Sequence, residues 1–227
     1  MTDRIFSVAI DGPAGAGKST IARRAAKELG FIYMDTGAFY RTVAYAALSR
    51  GADPRDQAAV EQCLASMTVT PQWDADGVQH MLLDGLDVST AIRSPQVSQS
   101  ASVVASYAAV RDFLLDSQRR VAQSYAVIMD GRDIGTVVLP NADVKIYLTA
   151  SAEVRAKRRW LELQQKQAPD TYEQVLSEMI ERDRRDMNRE VAPLRQAEDA
   201  VLIDSSDLSL EQSIQAVVQV ISEAISS

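Results

Sequence analysis

The run Gly12-Pro13-Ala14-Gly15-Ala16-Gly17-Lys18-Ser19 fits the pattern G-x-x-x-x-G-K-S/T in full. It constrains the fold more than any other stretch, because the pattern works only where a buried strand enters a loop and a helix leaves it. Both flanks are present. Ile5–Ile10 (IFSVAI) is a short apolar run ending at Asp11-Gly12, which reads as a buried strand. Ser19–Leu29 places Ile21, Ala22, Ala25, Ala26 and Leu29 on one helical face, and Gly30 stands where helices commonly stop. In such a loop the backbone N–H groups turn inward around phosphate oxygens, and the helix N-terminus adds a positive dipole. Lys18 reaches the outer phosphates, and the Ser19 hydroxyl can ligate magnesium. The loop from Gly12 through Thr20 is therefore the candidate nucleotide site.

The alternation continues. Phe31–Met34 reads as a second strand ending in Asp35, followed by a helix over Ala38–Leu48 and a stop at Gly51. Strand–helix alternation predicts a parallel sheet covered by helices. The pattern then changes. Asp56–Ala65 is helical, but Thr68–Trp73, Val78–Leu83 and Leu86–Val88 read as short strands. Asp74-Ala75-Asp76-Gly77 and Asp84-Gly85 supply turns between them. Residues 63–93 form a small antiparallel insert on this reading. Helical pattern resumes from Pro95 through Gln123. Ala126–Met129, Val144–Leu148 and Ala200–Ile203 complete the strands, and helices fill Ala152–Gln167, Tyr172–Arg189 and Leu210–Ile225. The expectation is an α/β protein: a doubly wound five-stranded parallel sheet with a small inserted antiparallel β subdomain.

Composition narrows the function classes. The 227 residues are 46% apolar and 24% charged, which excludes a disordered or collagen-like chain. No apolar run approaches the roughly 18 residues of a membrane-crossing helix, so no membrane is expected. The first residues lack a basic start followed by an apolar stretch, so no secretory signal is expected. Cys63 is the single cysteine, which removes an intramolecular disulfide and a cysteine-rich zinc site and fits a reducing cytoplasm. The single histidine, His80, removes His-pair metal chemistry. A net charge of −7 argues against a nucleic-acid polymer as partner. Yet 19 of the 24 basic residues are arginine, whose rigid fork matches phosphate oxygens. Genomic bias would give the same count.

A phosphate-binding loop alone does not separate switches, motors and kinases. A guanine-reading switch needs N-K-x-D, which does not occur here. A ring-forming motor normally needs a longer chain. This chain instead scatters arginines: Arg41 follows the second strand, Arg132 the third, Arg155, Arg158 and Arg159 share one helix, and Arg182, Arg184, Arg185 and Arg189 the next. Phosphoryl transfer depends mainly on positioning and charge neutralisation, which converging arginines provide. Any one of them reads equally well as solvated helix surface, because Glu178, Glu181, Asp183 and Asp186 interleave with the last group.

Four separated strings carry a family resemblance: Gly12–Thr20, Asp35-Thr36-Gly37-Ala38-Phe39-Tyr40-Arg41, Asp130-Gly131-Arg132-Asp133-Ile134-Gly135-Thr136-Val137, and Arg182-Asp183-x-x-Asp186-x-x-Arg189-x-x-x-Pro193-Leu194. In this order, over roughly residues 5–225, the chain resembles the bacterial-type cytidylate kinases. The resemblance implies transfer of the γ-phosphoryl of ATP to CMP or dCMP with magnesium. It implies a core of residues 1–36 and 107–227 with a helical lid at about 155–190, and a monophosphate-binding domain at 37–106. It implies that Arg41 and Arg132 hold the acceptor phosphate, with the Thr36 hydroxyl nearby where relatives often carry serine. Ser102, Arg111 and Asp133 match the base-reading positions, Ser102 with an uncertain register among Ser98, Ser100 and Ser106. Arg182 and Asp186 would contact the ribose, and Arg189 would reach towards the acceptor. Arg155, Arg158 and Arg159 look like the lid, and Lys18, Arg132, Arg158 and Arg189 form the implied catalytic set. The Trp160–Pro169 lid segment has no cysteine, which rules out a zinc-stabilised lid. Asp35 and Asp130 both end strands beside the loop, and either could orient magnesium waters.

Arg182, Asp186 and Arg189 share a face if their helix persists. Opposite them Tyr172, Val175, Leu176, Met179 and Ile180 read as core. Cys63, His80, Trp73 and Trp160 read as packing or structural residues. A monomer is expected, since no extended apolar face stands out. The rivals are a kinase for uridylate or another small acceptor, and a nucleotide-gated binding module.

Overall fold

The computed structural model of the chain describes residues 5–226. Strand β1 (Ser7–Asp11) is followed by α1 (Lys18–Leu29), β2 (Ile32–Asp35), α2 (Gly37–Ser49) and α3 (Gln57–Leu64). Three short strands come next: β3 (Val69–Trp73), β4 (Gln79–Leu83) and β5 (Leu86–Asp87). Helices α4 (Pro95–Val104) and α5 (Ala108–Ser124) lead to β6 (Val127–Gly131) and β7 (Val144–Thr149). Then α6 (Ala152–Gln165), α7 (Tyr172–Asn188), β8 (Val201–Asp204) and α8 (Leu210–Ile225) complete the order.

The five-stranded parallel sheet and the antiparallel insert expected from the sequence are both present. The main sheet has the order β2-β6-β1-β7-β8. Val8 of β1 lies opposite Val144 of β7, and Ile146 of β7 opposite Val201 of β8. The insert pairs β3, β4 and β5 antiparallel, with Val69 opposite Leu83 and Leu83 opposite Leu86.

The chain divides into two compact units, one holding Ile32–Val127 and the other Phe6–Phe31 with Ile128 onward. In the second unit Val8, Ile10, Ile128, Met129, Ile146 and Leu148 are almost completely buried. Their strands read as continuous apolar runs because helices cover both faces of a parallel sheet. Each large aliphatic side chain buried this way contributes about 1.5–3 kcal/mol. Helix α1 packs against α8, and α6 against α7. Thr171 and Gln174 cap α7 reciprocally: Thr171 N donates to Gln174 Oε1 at 2.8 Å, and Gln174 N to Thr171 Oγ1 at 3.3 Å. Ala156, Val175 and Met179 form the buried contact between α6 and α7, with Trp160, Leu163, Tyr172 and Leu176 partly buried around it. Trp160 meets Tyr172 edge-on at 6.4 Å.

Two expectations need correction here. Ile180 is 51% exposed and is not core. The inward line of α7 runs Val175, Met179, Asp183, and Ile180 lies about 100° away from Met179 around the axis. Arg189 does not lie on the helix. It follows the last helical residue with ψ 143°, so helical spacing does not govern its direction.

In the first unit, Phe39, Val43, Ala46 and Ala47 of α2 are fully buried, and α2 packs against α4 and β4. The helical stretch expected over Pro95–Gln123 is divided into two helices. Ser106 N and Tyr107 N donate to Val103 O and Val104 O at 3.0 and 3.2 Å, a tightened final turn, and Tyr107 then becomes extended. Tertiary partners outweigh the local pattern. Tyr107 Oη donates to Pro54 O at 3.0 Å, and Arg111 Nη1 donates to the freed Ala105 carbonyl at 3.2 Å.

Candidate active site

In the second unit the site starts at the carboxyl end of β1, where open α/β sheets place their ligands. Gly12 has φ 151°, and a Cβ there would collide with the Leu148 carbonyl oxygen, so only glycine passes β7 this closely. Gly17 has φ 85° and opens α1, its carbonyl accepting from Thr20 N and Ile21 N at 3.1 and 3.0 Å. Pro13, Ala14, Gly15 and Ala16 complete the loop between them.

Lys18 is 5% exposed, and its Nζ donates to Pro13 O at 2.7 Å. Burial, followed by the Arg132 charge, pushes its pKa down to about 7 against the pull of Asp130 and Asp11. Burial and the Arg132 charge also lower the pKa of Arg182, whose buried Nε has no hydrogen-bond partner. Lys18, Arg132 and Arg182 thus crowd one electrostatic neighbourhood. Ser19 Oγ donates to Asp130 Oδ2 at 2.8 Å, which joins the loop to the end of β6.

Two ion pairs organise the segment after β6. Arg132 Nε donates to Asp186 Oδ2 at 2.9 Å, and Arg189 Nη2 to Asp133 Oδ1 at 3.2 Å. Arg189 Nε also donates to Ala192 O at 2.6 Å, which curls the chain back after α7. Burial raises the pKa of Asp186, but the charges of Arg132, Arg182 and Arg189 hold it below the usual carboxylate range. Residues Ile134–Val138 form a π-helical turn, in which Val138 N donates to Asp133 O at 3.1 Å and Leu139 N to Ile134 O at 2.6 Å. Both oxygens of Asp11 serve this turn. Oδ1 accepts from Ile134 N at 2.8 Å and Oδ2 from Gly135 N at 2.7 Å. Burial pushes the Asp11 pKa up to about 6, against those two amides.

The three arginines expected in a lid, Arg155, Arg158 and Arg159, occupy different places. Arg155 is 4% exposed; it donates to Ala150 O and to Ala14 O of the loop, and forks onto both oxygens of Asp183. Arg158 donates through Nη2 to Ser205 O at 2.7 Å and through Nη1 to Ser205 Oγ at 3.3 Å. Arg159 is exposed and pairs with Glu162 at 3.1 Å.

In the first unit Arg41 Nη2 pairs with Asp35 Oδ2 at 2.6 Å, while Asp35 Oδ1 accepts from Ala38 N at 3.2 Å. Thr36, 3% exposed, stands at the start of α2. Gln79 of the insert meets Asp35 as a strand neighbour would: its Oε1 accepts from Asp35 N at 2.7 Å and its Nε2 donates to Asp35 O at 3.3 Å. Arg111, 7% exposed, places its guanidinium 5.4 Å from the Tyr40 ring centre. Ser102 is half-buried on α4. Thr36, Arg41, Ser102 and Arg111 therefore belong to this unit, and Lys18, Ser19, Arg132, Asp133, Arg158, Arg182, Asp186 and Arg189 to the other.

A sequence profile described as Cytidylate kinase matches residues 8–223. The chain belongs to the cytidylate kinase family. The protein named Cytidylate kinase from Caldicellulosiruptor bescii is 50% identical over 214 residues, 94% of each chain. The protein of that name from Exiguobacterium sp. is 49% identical over 219 residues, 96% of this chain and 97% of that one. An uncharacterized protein from Eubacterium ventriosum, solved by crystallography, has a TM-score of 0.52 at 12% identity, covering 97% of this chain and 99% of that one. That likeness concerns the fold alone.

In this cytidylate kinase family member, three supporting residues are not evident from sequence: Asp11, Gln79 and Asp183. Asp11 is hidden as the ordinary end of a strand. Gln79 is hidden because a glutamine that copies strand pairing has no local pattern. Asp183 is one of several acidic residues on a charged helix, and only Arg155 from α6 distinguishes it.

Proposed function

We propose that the chain transfers the γ-phosphoryl group of ATP to CMP or dCMP, giving ADP and CDP or dCDP. The observation that carries this reading is the crowding of Lys18, Arg132 and Arg182 beside the loop, where burial first and then the Arg132 charge lower the pKa of both Lys18 and Arg182. Such preorganised positive charge is completed by a polyanion and stabilises charge that spreads over a transferring phosphoryl group.

Lys18 and the Gly12–Thr20 backbone amides would hold the triphosphate. Arg41 and Arg132 would clamp the acceptor phosphate by charge-assisted bonds, with Thr36 offering a hydroxyl beside them. Arg182 and Asp186 would bind the ribose, and Ser102, Arg111 and Asp133 the cytosine. Arg189 and Arg158 would neutralise charge during transfer, Arg158 only after releasing Ser205. The nucleophile is an oxygen of an already ionised phosphate, so no general base is needed.

Magnesium fits one place. The Ser19 hydroxyl and the Asp130 carboxylate, 2.8 Å apart, are the hard oxygen donors this cation prefers, and it takes few protein ligands beside substrate phosphates. Bound there, magnesium supplies charge neutralisation to the phosphate oxygens. Asp35 is committed to Arg41, which favours Asp130 for this role.

Residues 37–106 would form the monophosphate-binding domain and residues 155–190 the lid of the remaining core. No described helix is long and apolar enough to cross a membrane; the single cysteine fits a reducing cytoplasm, and a monomer fits a sequence without an extended apolar face. The test incubates the protein with ATP, magnesium and a panel of nucleoside monophosphates. ADP should appear with CMP and dCMP. ADP formed equally without acceptor would reject the kinase reading.

A further inference from the structure

The Asp11 carboxylate stands between the nucleotide loop and the segment that carries Arg132 and Asp133. It precedes Gly12 directly, yet its carboxylate hydrogen bonds reach to the segment after Asp133 and not to the loop backbone. Its two oxygens are used by the amides of Ile134 and Gly135 at 2.8 and 2.7 Å. Those amides open the π-helical turn that starts immediately after Asp133. Within the turn Val137 N and Val138 N donate to Asp133 O at 2.9 and 3.1 Å and Leu139 N to Ile134 O at 2.6 Å, so Asp11 serves the two amides at its start, Ile134 and Gly135. The backbone at Asp11 is held independently, in register with Tyr147 of β7. The carboxylate is therefore not needed to place the loop, and its hydrogen bonds act on the turn.

We propose that Asp11 is a positioning residue for the acceptor: through its two amide bonds it fixes the direction in which Arg132 and Asp133 project. The acceptor is the end of the reaction affected because Arg132 and Asp133 immediately precede the turn. Arg132 is further tied to Asp186, and Asp133 to Arg189, so a rotation of the turn would strain both ion pairs together. Closeness matters here, because positioning groups must be held within a fraction of an ångström to keep their effect. Gly135 fits the same picture. A Cβ on it would meet the Lys145 side chain at 3.1 Å and Asp11 Oδ2 at 3.4 Å, so the junction is packed from both sides.

This inference rests on the proposed roles of Arg132 and Asp133. Asp11→Asn keeps the shape but turns one acceptor oxygen into an NH2 group facing a backbone N–H. Steady-state kinetics should then show KM for CMP raised about tenfold, the size of one lost charge-assisted hydrogen bond. The preference for CMP over UMP should fall by a similar factor, and KM for ATP should change less than about twofold. Gly135→Ala, which leaves the carboxylate intact and presses on a flexible lysine, should reproduce the same acceptor-specific pattern. It keeps the inference testable if Asp11→Asn fails to fold. Unchanged CMP parameters in either folded variant would overturn the inference. So would a rise in KM for ATP equal to that for CMP, which would show that Asp11 acts through the Lys18 charge or the loop. Absence of CMP-dependent ADP formation in the parent protein would instead defeat the proposed function and not this role.

Discussion

Arg155 of α6 and Asp183 of α7 share a two-pronged ion pair, with Nη2 to Oδ2 at 2.6 Å and Nη1 to Oδ1 at 3.2 Å, almost wholly out of solvent. The same guanidinium donates to Ala14 O at 2.9 Å. One side chain therefore ties α6 and α7 to the Gly12–Thr20 loop by satisfying loop and helix groups.

Removing one partner strands the other as a buried charge, which is far costlier than removing both. Asp183→Ala should lower unfolding free energy by about 3–5 kcal/mol in urea titration. Arg155→Met combined with Asp183→Leu should lose clearly less than the sum of the two single changes. Additive losses would show that the pair is not electrostatically coupled.

Lys18 gives a second expectation. Its folded pKa, about 7, lies below the ordinary lysine value of 10.5, so between these values the unfolded chain binds more protons. Stability must then rise with pH across that window, and Lys18→Met should flatten the rise. Turnover by Lys18→Met should fall by about 10²–10³, the usual loss when one preorganised donor is removed. For the parent, kcat/KM for ATP should decline above about pH 7, while kcat holds to higher pH because bound triphosphate favours the ammonium. A flat kcat/KM profile up to pH 9 would place the loss of the Lys18 proton outside the reaction.

His80 bridges two carboxylates of the insert, and its protonation should strengthen that bridge. Its Nδ1 meets Asp87 Oδ2 at 2.9 Å and its Nε2 meets Asp74 Oδ2 at 3.2 Å, and only the imidazolium donates to both. The bond to Asp87, then that to Asp74, raises the folded pKa. The stabilisation is therefore complete below the unfolded value of about 6.5 and is lost as pH rises through the folded value. Hydrogen exchange at the amides of β4 and β5 should accelerate across that step beyond its normal pH dependence. His80→Asn should remove the step.

The regular skeleton was legible because each of its elements has a local pattern. The glycine-lysine string could only sit between β1 and α1, and the Asp-Gly turns marked the insert. The break at Tyr107 was not legible, because Ala105–Tyr107 continues a helical pattern and the deciding bonds come from Pro54 and Arg111. Arg189 carried a spacing that implied a helical face, yet its bonds to Ala192 and Asp133 lie beyond the helix end. Ile180 failed for a related reason: a row of apolar residues does not reveal that Asp183 takes the inward position one turn on. The arginine strings named the residues expected at the candidate site, but spacing could not tell which would be taken up internally, as Arg155 and Arg158 are.

Base reading is tested most directly by the ratio of kcat/KM for CMP to that for UMP, in the parent and in Asp133→Asn. Uracil presents a carbonyl where cytosine presents an amine, and a donor where cytosine has an acceptor. Each unpaired polar group in a buried site costs about 1–3 kcal/mol, so the parent should prefer CMP by roughly two orders of magnitude or more. Asp133→Asn keeps an oxygen for Arg189 and adds a donor that suits uracil, so the ratio should contract by at least about tenfold while ATP binding is retained. Equal kcat/KM for CMP and UMP in the parent, or a variant that loses both by the same factor, would contradict cytosine recognition by Asp133.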